Sequence, residues 1–315
     1  MTATSKGSRS RASRLASTSS SGGRGYLLVR NTAAGTDDQA FVDAVCHALG
    51  TAEVVATDGP GDVDDALRAA DGRMVVACGG DGSLHLLVER ARALGLADRV
   101  ELGLVPLGTG NDFAGHLGIP TDPDGAAAVL RDGPTRAMDV LIGDDDQVVV
   151  NAVHVGIGVE AARRADDLKA SLGALAYPLG AMVAGVAAEG LQVEVRVDGE
   201  RIDLGDPALM VIVGNGPTIG GGTPAVPSAR PDDGVLDVVV SHAVGPAART
   251  AFGMALARGT HVDRDDVVTA RGTRVEILGP RLAHNADGDL AEATDTPRSY
   301  RIEPASYRLR VPPAS

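Results

Sequence analysis

The 315-residue sequence predicts two domains: an N-terminal α/β domain with a doubly wound parallel sheet, followed by a mainly β domain. Three observations lead to this fold class. Short apolar runs alternate with amphipathic stretches in the first third of the chain, which is typical of parallel βα units. After Asp139 the apolar runs follow one another more closely, which is typical of antiparallel sheet. The chain is also long enough for two hydrophobic cores.

The N-terminal part contains four predicted strands, each followed by a predicted helix. The helices show the 3.6-residue spacing of one buried face, as at Leu84, Leu87, Val88 and Ala91. In chain order the strands are YLLVR, AEVVAT, RMVVAC and LGLVP, and the helices cover residues 37–49, 62–70, 84–95 and 111–117. Because ligands of such sheets bind beyond the carboxyl ends of the strands, the loops at those ends are the first place to look for a site.

The second part of the chain is predicted to be rich in strands. Asp198 and Gly199 lie between VEVRV and RIDL and indicate a tight hairpin, since Asp-Gly supports the positive φ angles of a two-residue turn. Residues 245–259 are predicted to form a helix. We divide the chain into a tail at 1–25, an α/β domain at 26–140, a β-rich domain at 141–300 and a last segment at 301–315, which we expect to return as a strand to the N-terminal domain.

Composition and charge exclude some functional classes. The formal net charge is −13, although the first 25 residues contain five basic residues and no acid. Aromatic residues make up 2% of the chain, which has no Trp. An acidic, aromatic-poor protein lacks both the charge and the stacking platforms that bind nucleic acids, so we expect no nucleic-acid partner. We interpret the tail as disordered, with a tether to anionic surfaces or a transit peptide as alternatives.

The cysteines and the one candidate membrane span indicate the cellular compartment. Cys46 and Cys78 each lie in an apolar run, which indicates buried, reduced thiols in a cytoplasmic protein. Residues 172–189 are uncharged up to Glu189, but Pro178 and the many glycines and alanines favour a buried or groove-lining helix over a membrane span. We therefore expect a cytoplasmic protein without a transmembrane segment.

The clearest candidate site follows the third predicted strand. Residues 78–91, CGGDGSLHLLVERA, place three glycines, an acid and a hydroxyl between a buried strand and an amphipathic helix. The glycines allow backbone amides to approach a phosphate, and the helix N-terminus adds the positive end of its dipole. Asp81 beside such a cradle implies a cation, or ordered waters and hydroxyls, between the two. The alternative is a turn in which Asp81 and Ser83 only cap the helix.

A second loop of this kind follows the next strand, within VPLGTGNDFAGHLGIP at residues 105–120. It supplies a flexible backbone, a hydroxyl, an amide and an acid. These residues are Gly108, Thr109, Gly110, Asn111 and Asp112. Two such loops at neighbouring strand ends are more specific than one, and a helix cap would explain only a single residue of the second. The chain has two lysines and no GxxxxGK, which excludes the lysine-dependent P-loop mechanism.

The motifs GGDGS and PLGTGNDFA, with NTAAG upstream, resemble the diacylglycerol kinase catalytic-domain family. That family includes bacterial lipid kinases and sphingosine kinases and is distantly related to the NAD kinases. NAVHVGIGVEA, RPDDGVLDVVV and HNADGDL extend the resemblance towards the end of the chain. It implies a nucleotide-binding catalytic domain at 26–140, a β-sandwich-like lipid or substrate domain at 141–300, and an active site in the cleft between them.

The resemblance also implies the residues that bind the nucleotide. Asp81, Asp112 and Asp139 correspond to an acidic network around the nucleotide phosphates and a catalytic Mg²⁺. The full set of implied ATP-binding positions is Asn31, Thr57, Gly79, Gly80, Asp81, Gly82, Ser83, Gly108, Thr109, Asn111, Asp112 and Asp139.

Two further sites are implied. A structural Mg²⁺ site of the family corresponds to the side chain of Asp233 with the backbone carbonyls of Arg230 and Val235, and this oxygen set suits a hard cation. From the residues alone, the alternative is an ordinary acidic turn. Asp287 and Asp289 correspond to the family's DGE motif, whose acids include the proposed base that takes the proton from the lipid hydroxyl.

The sequence departs from the family pattern at four positions. Ser83 replaces the usual Thr, Leu86 replaces a Glu common in bacterial members, and Gly115 replaces a common Arg. Asp289 replaces Glu, which withdraws the carboxylate by about 1.5 Å, or one C–C bond. Of the histidines near the motifs, His85 is the one that merits a test.

The implied function is an ATP- and Mg²⁺-dependent lipid kinase of phospholipid biosynthesis. The γ-phosphate of ATP would pass to a lipid hydroxyl, most simply that of diacylglycerol to give phosphatidate. The partners would be ATP, a lipid alcohol and, transiently, a membrane surface, so that a cytoplasmic enzyme becomes peripherally membrane-associated; a homodimer is left open. The alternatives are a sphingoid base, another lipid alcohol or NAD as acceptor, or a nucleotide- or lipid-binding regulator that has lost turnover.

Overall fold

The computed structural model describes residues 25–31, 39–157, 159, 190–203 and 207–313. The predicted fold class is confirmed: an α/β domain precedes a mainly β domain with two facing sheets. The basic tail up to residue 24, the loop residues 32–38 and the candidate groove wall at 172–189 lie outside the described residues.

The N-terminal domain is a parallel sheet with helices on both faces. Its strands lie in the order β2, β1, β3, β4, and each neighbouring pair is parallel. The elements are β1 (Tyr26–Asn31), α1 (Gln39–Leu49), β2 (Ala52–Thr57), α2 (Pro60–Arg68), β3 (Met74–Gly79), α3 (Asp81–Ala93), β4 (Glu101–Pro106), α4 (Asp112–Leu117) and α5 (Pro123–Asp132).

Two hydrophobic cores lie on opposite faces of this sheet. Consecutive residues of β1 enter different cores, because side chains alternate along a strand: Leu27 packs with α2 and α3, and Leu28 packs with α1 and α5. β3 is buried along its whole length. This double cover explains why the strands are continuous apolar runs rather than alternating ones.

The strand register aligns the predicted loops. Asn31 at the end of β1 pairs with Thr57 at the end of β2, and Gly79 at the end of β3 pairs with Pro106 at the end of β4. All four strands therefore end at one edge of the sheet, and both glycine-rich loops start there.

The second domain contains antiparallel strands and one described α-helix. One sheet has the strand order β12, β11, β10, β7, β14, β15, and the hairpin predicted at Asp198-Gly199 joins β8 to β9. The elements are β5 (Thr135–Gly143), β6 (Val148–Val149), β7 (Ala152–Gly156), β8 (Glu194–Val197), β9 (Glu200–Arg201), β10 (Met210–Gly214), β11 (Leu236–Ser241), α6 (Pro246–Leu256), β12 (Val267–Gly272), β13 (Arg274–Leu278), β14 (Leu282–Ala286), β15 (Asp289–Thr294) and β16 (Arg298–Arg310). The valine-rich core between this sheet and β5, β8, β13 and β16 gives the domain its sandwich character.

The long strand β16 connects the two domains. It pairs antiparallel with β13 and β5 and parallel with β4, so the parallel sheet of the N-terminal domain continues into the second domain. A bulge between Glu303 and Tyr307 bends the strand, and Ala305 in the bulge has a φ of 52°.

Tyr307 is among the largest fully buried side chains of the described chain. Its hydroxyl finds no hydrogen-bond partner among the described residues. Burial, followed by the negative charges of Asp287 and Asp139, raises the pKa of Tyr307 well above its usual value. The ring therefore contributes packing, while the hydroxyl contributes an uncompensated polar group.

We predict that Tyr307→Phe leaves the free energy of unfolding unchanged or raises it by about 1 kcal/mol, because it removes an unsatisfied polar atom and keeps the ring. Tyr307→Ala should lower it by about 3–5 kcal/mol through loss of the ring. Urea unfolding of both variants measures the difference. A loss of more than about 1 kcal/mol in the Phe variant would show that the hydroxyl is hydrogen-bonded in solution.

Candidate active site at the strand ends

The two glycine-rich loops touch each other through their backbones. A Cβ atom on Gly108 would lie 2.6 Å from the Cα of Gly80, and one on Gly80 would lie 3.1 Å from the Cα of Gly108. Only hydrogen at these positions permits such an approach. The glycines predicted to admit a phosphate therefore also let the two loops pack side by side.

The first loop passes directly into α3. A Cβ atom on Gly79 would lie 2.1 Å from Oγ of Ser83, so the serine side chain covers the end of β3. A Cβ on Gly82 would meet nothing within 4 Å. The N-terminus of a 13-residue helix thus lies immediately behind the loop, as a phosphate cradle requires.

Asp81 fixes the second loop to the first. Its two carboxylate oxygens accept the backbone N–H groups of Asp112 at 3.0 Å and Phe113 at 2.9 Å, which are the first amides of α4. Burial raises the pKa of Asp81, and these two hydrogen bonds oppose the rise. Asn111, with a φ of 48°, donates its side-chain amide to the carbonyl of Gly108 at 2.6 Å and holds the loop in its turn.

Asp112 extends this network into the second domain. Its carboxylate accepts the backbone N–H groups of Gly221 at 2.9 Å and Gly222 at 2.6 Å, and Thr218 donates its hydroxyl to the Asp112 carbonyl at 3.3 Å. The Gly220–222 run of the second domain therefore lies against the second glycine-rich loop. Two of the three acids predicted around the phosphates, Asp81 and Asp112, are thus in one network.

Asn31 and Thr57 lie beside each other at the same edge of the sheet. They are partners in the register of β1 and β2. The Thr57 side chain is buried, and its hydroxyl donates to the carbonyl of Arg30 at 3.2 Å. Thr109 is exposed at the tip of the second loop. These three predicted nucleotide-binding residues lie at the strand ends and in the second glycine-rich loop, at the same edge of the sheet.

Asp139 occupies a different place in the network. Its buried carboxylate accepts the backbone N–H groups of Gly234 at 2.7 Å and Ala305 at 2.8 Å, and its own amide donates to Pro231 at 2.8 Å. Burial raises the pKa of Asp139, and the two hydrogen bonds to the carboxylate oppose the rise. Asp139 therefore fixes the acidic loop after Arg230 to the bulge of β16, and no direct hydrogen bond to Asp81 or Asp112 is found in the described chain.

The candidate metal loop is stabilised by arginines. Asp233 contacts the Arg271 guanidinium at 2.5 Å, and Asp232 lies 3.1 Å from the guanidinium of Arg136. Gly234 turns the loop with a φ of 76°. The described residues contain no group of three or more His, Cys, Asp or Glu side chains able to hold a metal, so an ion here would depend on one carboxylate and backbone carbonyls.

The two acids of the last motif differ sharply in surroundings. Asp287 lies in a tight turn with a φ of 50°, and its side chain is 4% exposed. Its carboxylate accepts three backbone N–H groups, from Val150 at 2.6 Å and from Asn151 and Ala152 at 3.0 Å each. Burial raises the pKa of Asp287, while His85 and the three amides oppose the rise.

Asp289, by contrast, is exposed at the start of β15, and no side chain of the described chain forms a hydrogen bond with its carboxylate. The next residue, Leu290, is one of three exposed large hydrophobic side chains among the described residues. Of this acid pair, Asp289 is the one with free lone pairs that can take up a proton.

One contact joins the last motif to the first glycine loop. Nδ1 of His85, in the second turn of α3, lies 3.3 Å from Oδ2 of Asp287. The sequence singled out His85 but not its partner Asp287, and it did not indicate that Asp112 binds Gly221 and Gly222. No local pattern encodes either pairing, because the partners are far apart in the chain.

Comparisons with known proteins agree with this architecture. Residues 25–142 match the diacylglycerol kinase catalytic domain, and residues 151–311 match the YegS C-terminal NAD kinase beta sandwich-like domain. A protein named probable lipid kinase YegS-like, from Stenotrophomonas maltophilia, is 33% identical over 307 residues, which cover 92% of this chain and 96% of the relative. A protein of the same name from Xanthomonas campestris pv. campestris is 34% identical over 259 residues, covering 77% and 79%.

Two solved structures share the fold. A diacylglycerol kinase from Bacillus anthracis str. Sterne superposes with a TM-score of 0.73 at 24% identity and covers 92% of this chain and 98% of its own. An NAD kinase from Archaeoglobus fulgidus in complex with ATP has a TM-score of 0.53 at 14% identity, covering 90% and 93%. At these identities the two structures show likeness of fold alone.

We predict that Gly108→Ala disrupts the contact between the loops, because the new methyl group would lie 2.6 Å from the Cα of Gly80. Moving backbone to relieve this clash should cost about 1–3 kcal/mol of stability. Gly115→Ala is the matched control: it lies in α4 with nothing within 4 Å of the added Cβ, and should be neutral or stabilising by about 1 kcal/mol. Thermal unfolding and ATP binding of both variants measure this, and equal behaviour of the two would contradict the packing described.

Proposed function

The chain belongs to the family of YegS-like lipid kinases that carry a diacylglycerol kinase catalytic domain, and from that premise we propose that it transfers the γ-phosphoryl group of ATP to the hydroxyl of diacylglycerol, giving phosphatidate. Membership of a kinase family implies phosphotransferase chemistry and the use of ATP. We further propose diacylglycerol as the phosphoryl acceptor and assign roles to individual residues.

The observation that carries the proposal is the contact between Gly80 and Gly108. It places two flexible backbones side by side at the carboxyl end of the parallel sheet, with the N-terminus of α3 behind them. Phosphates bound there would be held by backbone N–H groups and the helix dipole, without a lysine. Asn31, Thr57, Ser83 and Thr109 are the proposed flanking contacts to the nucleotide.

The buried acids would shape the site rather than hold the phosphates directly. Asp81 and Asp112 each bind two backbone amides, which leaves lone pairs for waters or a cation next to the nucleotide. Asp139 would act at one remove, since it fixes the loop that carries Asp233. Phosphoryl transfer depends mostly on positioning and charge neutralisation, and such a scaffold supplies positioning.

We propose that Asp289 is the base that takes the proton from the acceptor hydroxyl. As the lipid oxygen forms a bond to the γ-phosphorus, the bond from that phosphorus to the bridging oxygen breaks and ADP leaves, while the hydroxyl proton passes to the carboxylate. The free carboxylate of Asp289 supports this role over Asp287, whose oxygens are already hydrogen-bonded.

A lipid acceptor is supported by Leu290, which is 37% exposed immediately after Asp289. An apolar side chain next to the proposed base suits an acceptor whose hydroxyl adjoins acyl chains. Among the described helices, none is long and apolar enough to cross a membrane. We propose that the substrate is taken from a membrane surface by transient contact.

We predict that the purified chain, given Mg²⁺, γ-labelled ATP and mixed vesicles containing diacylglycerol, transfers label to the solvent-extracted lipid phase. Asp289→Asn should lower the rate about 100-fold or more, because it removes the proton acceptor. Glu292→Gln, an exposed carboxylate on the same strand, is the matched control and should retain the rate.

Parallel reactions with a sphingoid base, a prenol and NAD identify the acceptor. Label in one of these and none in phosphatidate would contradict the assignment of diacylglycerol. ATP binding without label in any acceptor would contradict kinase activity and favour a nucleotide-binding regulator.

The acidic loop fits Mg²⁺ in its donor chemistry. The carboxylate of Asp233 and the carbonyls of Arg230 and Val235 are hard oxygen ligands, and the hydrogen bond from Gly234 to Asp139 holds the loop. The Arg271 guanidinium, at 2.5 Å from Asp233, would share that carboxylate. A Mg²⁺ ion supplies neutralisation of negative charge, here in an acidic turn.

We predict that Mg²⁺ raises the melting temperature of the chain in the absence of nucleotide. An ion at about 100 times its dissociation constant adds about 2.7 kcal/mol to the free energy of unfolding. Asp233→Asn should lose most of this increment, while Asp265→Asn, at an exposed position of the same domain, should keep it. An equal Mg²⁺ response of both variants would place the ion elsewhere.

A further inference from the structure

We infer that His85 is a positioning residue of the phosphoryl transfer: it holds Asp287, and with it the turn that leads to Asp289, against the helix that starts at the nucleotide loop. The inference rests on the proposed function and assigns a role within its site. It starts from the 3.3 Å contact between Nδ1 of His85 and Oδ2 of Asp287.

The contact is enclosed. The side chain of His85 is 13% exposed and that of Asp287 is 4% exposed, so water screens the pair weakly. Among the described basic side chains, His85 is the one within ion-pair distance of this carboxylate. Removing a polar partner from a buried carboxylate leaves its negative charge less compensated, which is costly.

His85 is the fourth polar group around Asp287. Oδ1 accepts from Asn151 and Ala152, Oδ2 accepts from Val150, and the imidazole lies at ion-pair distance from Oδ2. Three hydrogen bonds and this contact hold the carboxylate in place. It therefore serves as an anchor, and its position decides where the following turn lies.

The contact between His85 and Asp287 lies close both to the first glycine-rich loop and to Asp289. Asp81 is four residues before His85 on α3, which is about 6 Å along a helix. On the other side, the turn at Asp287 and Gly288, with φ values of 50° and 103°, leads directly to Asp289 at the start of β15. The contact thus sets the distance between the phosphate cradle and the proposed proton acceptor.

A second link between the domains is independent of His85. Asp112 binds the amides of Gly221 and Gly222 and would keep the domains together if His85 were replaced. Loss of His85 is therefore expected to misplace the acceptor side by a small distance without dissociating the cleft. A displacement of about 1 Å can cost about 100-fold in rate.

The test compares His85→Leu with His85→Asn in the full-length chain, using labelled ATP and diacylglycerol vesicles. Leucine removes the polar contact, whereas the side-chain amide of asparagine places a donor near the Nδ1 position, facing Asp287. We expect His85→Leu to lower kcat by about 10- to 100-fold with the dissociation constant for ATP changed by less than about twofold, and His85→Asn to recover most of the lost rate. His47→Leu, at an exposed position in the last turn of α1, is the matched control and should behave as the unmodified chain.

The outcomes separate the inference from the proposed function. An active parent chain with kcat unchanged in His85→Leu, or with the Asn and Leu variants equally impaired, overturns the positioning role and leaves the kinase assignment standing. A parent chain that binds ATP but labels no lipid alcohol overturns the proposed function, and the inference with it. If thermal unfolding shows that the Leu variant does not fold, His85→Gln replaces it, because the longer side chain displaces the amide by about 1.5 Å. We again expect a lower kcat with an unchanged dissociation constant for ATP.

Discussion

The structure of the site depends on the close approach of two backbones at Gly80 and Gly108. This approach brings the ends of β3 and β4 into one surface, and the Asp81 carboxylate stabilises it by binding the first amides of α4. Asp112 at the start of that helix then binds Gly221 and Gly222 of the second domain. If the loops were held apart by one methyl group, both carboxylates would be displaced from their amide partners.

The four buried acids have the same structural role. Asp81, Asp112, Asp139 and Asp287 each accept two or three backbone N–H groups, so each holds a loop in place by charge-assisted hydrogen bonds. Burial raises the pKa of three of them, Asp81, Asp139 and Asp287, and the amide hydrogen bonds act in the opposite direction. Because neutral amides bind these carboxylates without cancelling their charge, the network keeps a negative potential that favours a cation nearby.

Much of this could be predicted from sequence, because the relevant signals are local. Apolar runs followed by glycine-rich loops predict parallel strands that end at one edge, and the structure has that arrangement. The partners of the acids could not be predicted, since Asp112 with Gly221 and Asp287 with Val150 are pairs distant in sequence. The same limit applies to Asp287 and Asp289: two carboxylates in one motif look equivalent in sequence, and only their surroundings distinguish an anchored side chain from an exposed one.

The strand β16 has a consequence for how the chain folds during synthesis. Its pairing of Leu309 with Leu102 joins residues about two hundred positions apart, and Tyr307 from the same strand packs in the core with α2 and α3. The parallel sheet at the N-terminus therefore remains unfinished until nearly all of the described chain has left the ribosome. Contacts of such high sequence separation slow folding and leave an unpaired edge on β4 for that interval. A protein with this connectivity is expected to complete its N-terminal domain after translation. A chaperone that covers the unpaired edge of β4 would protect it during that interval.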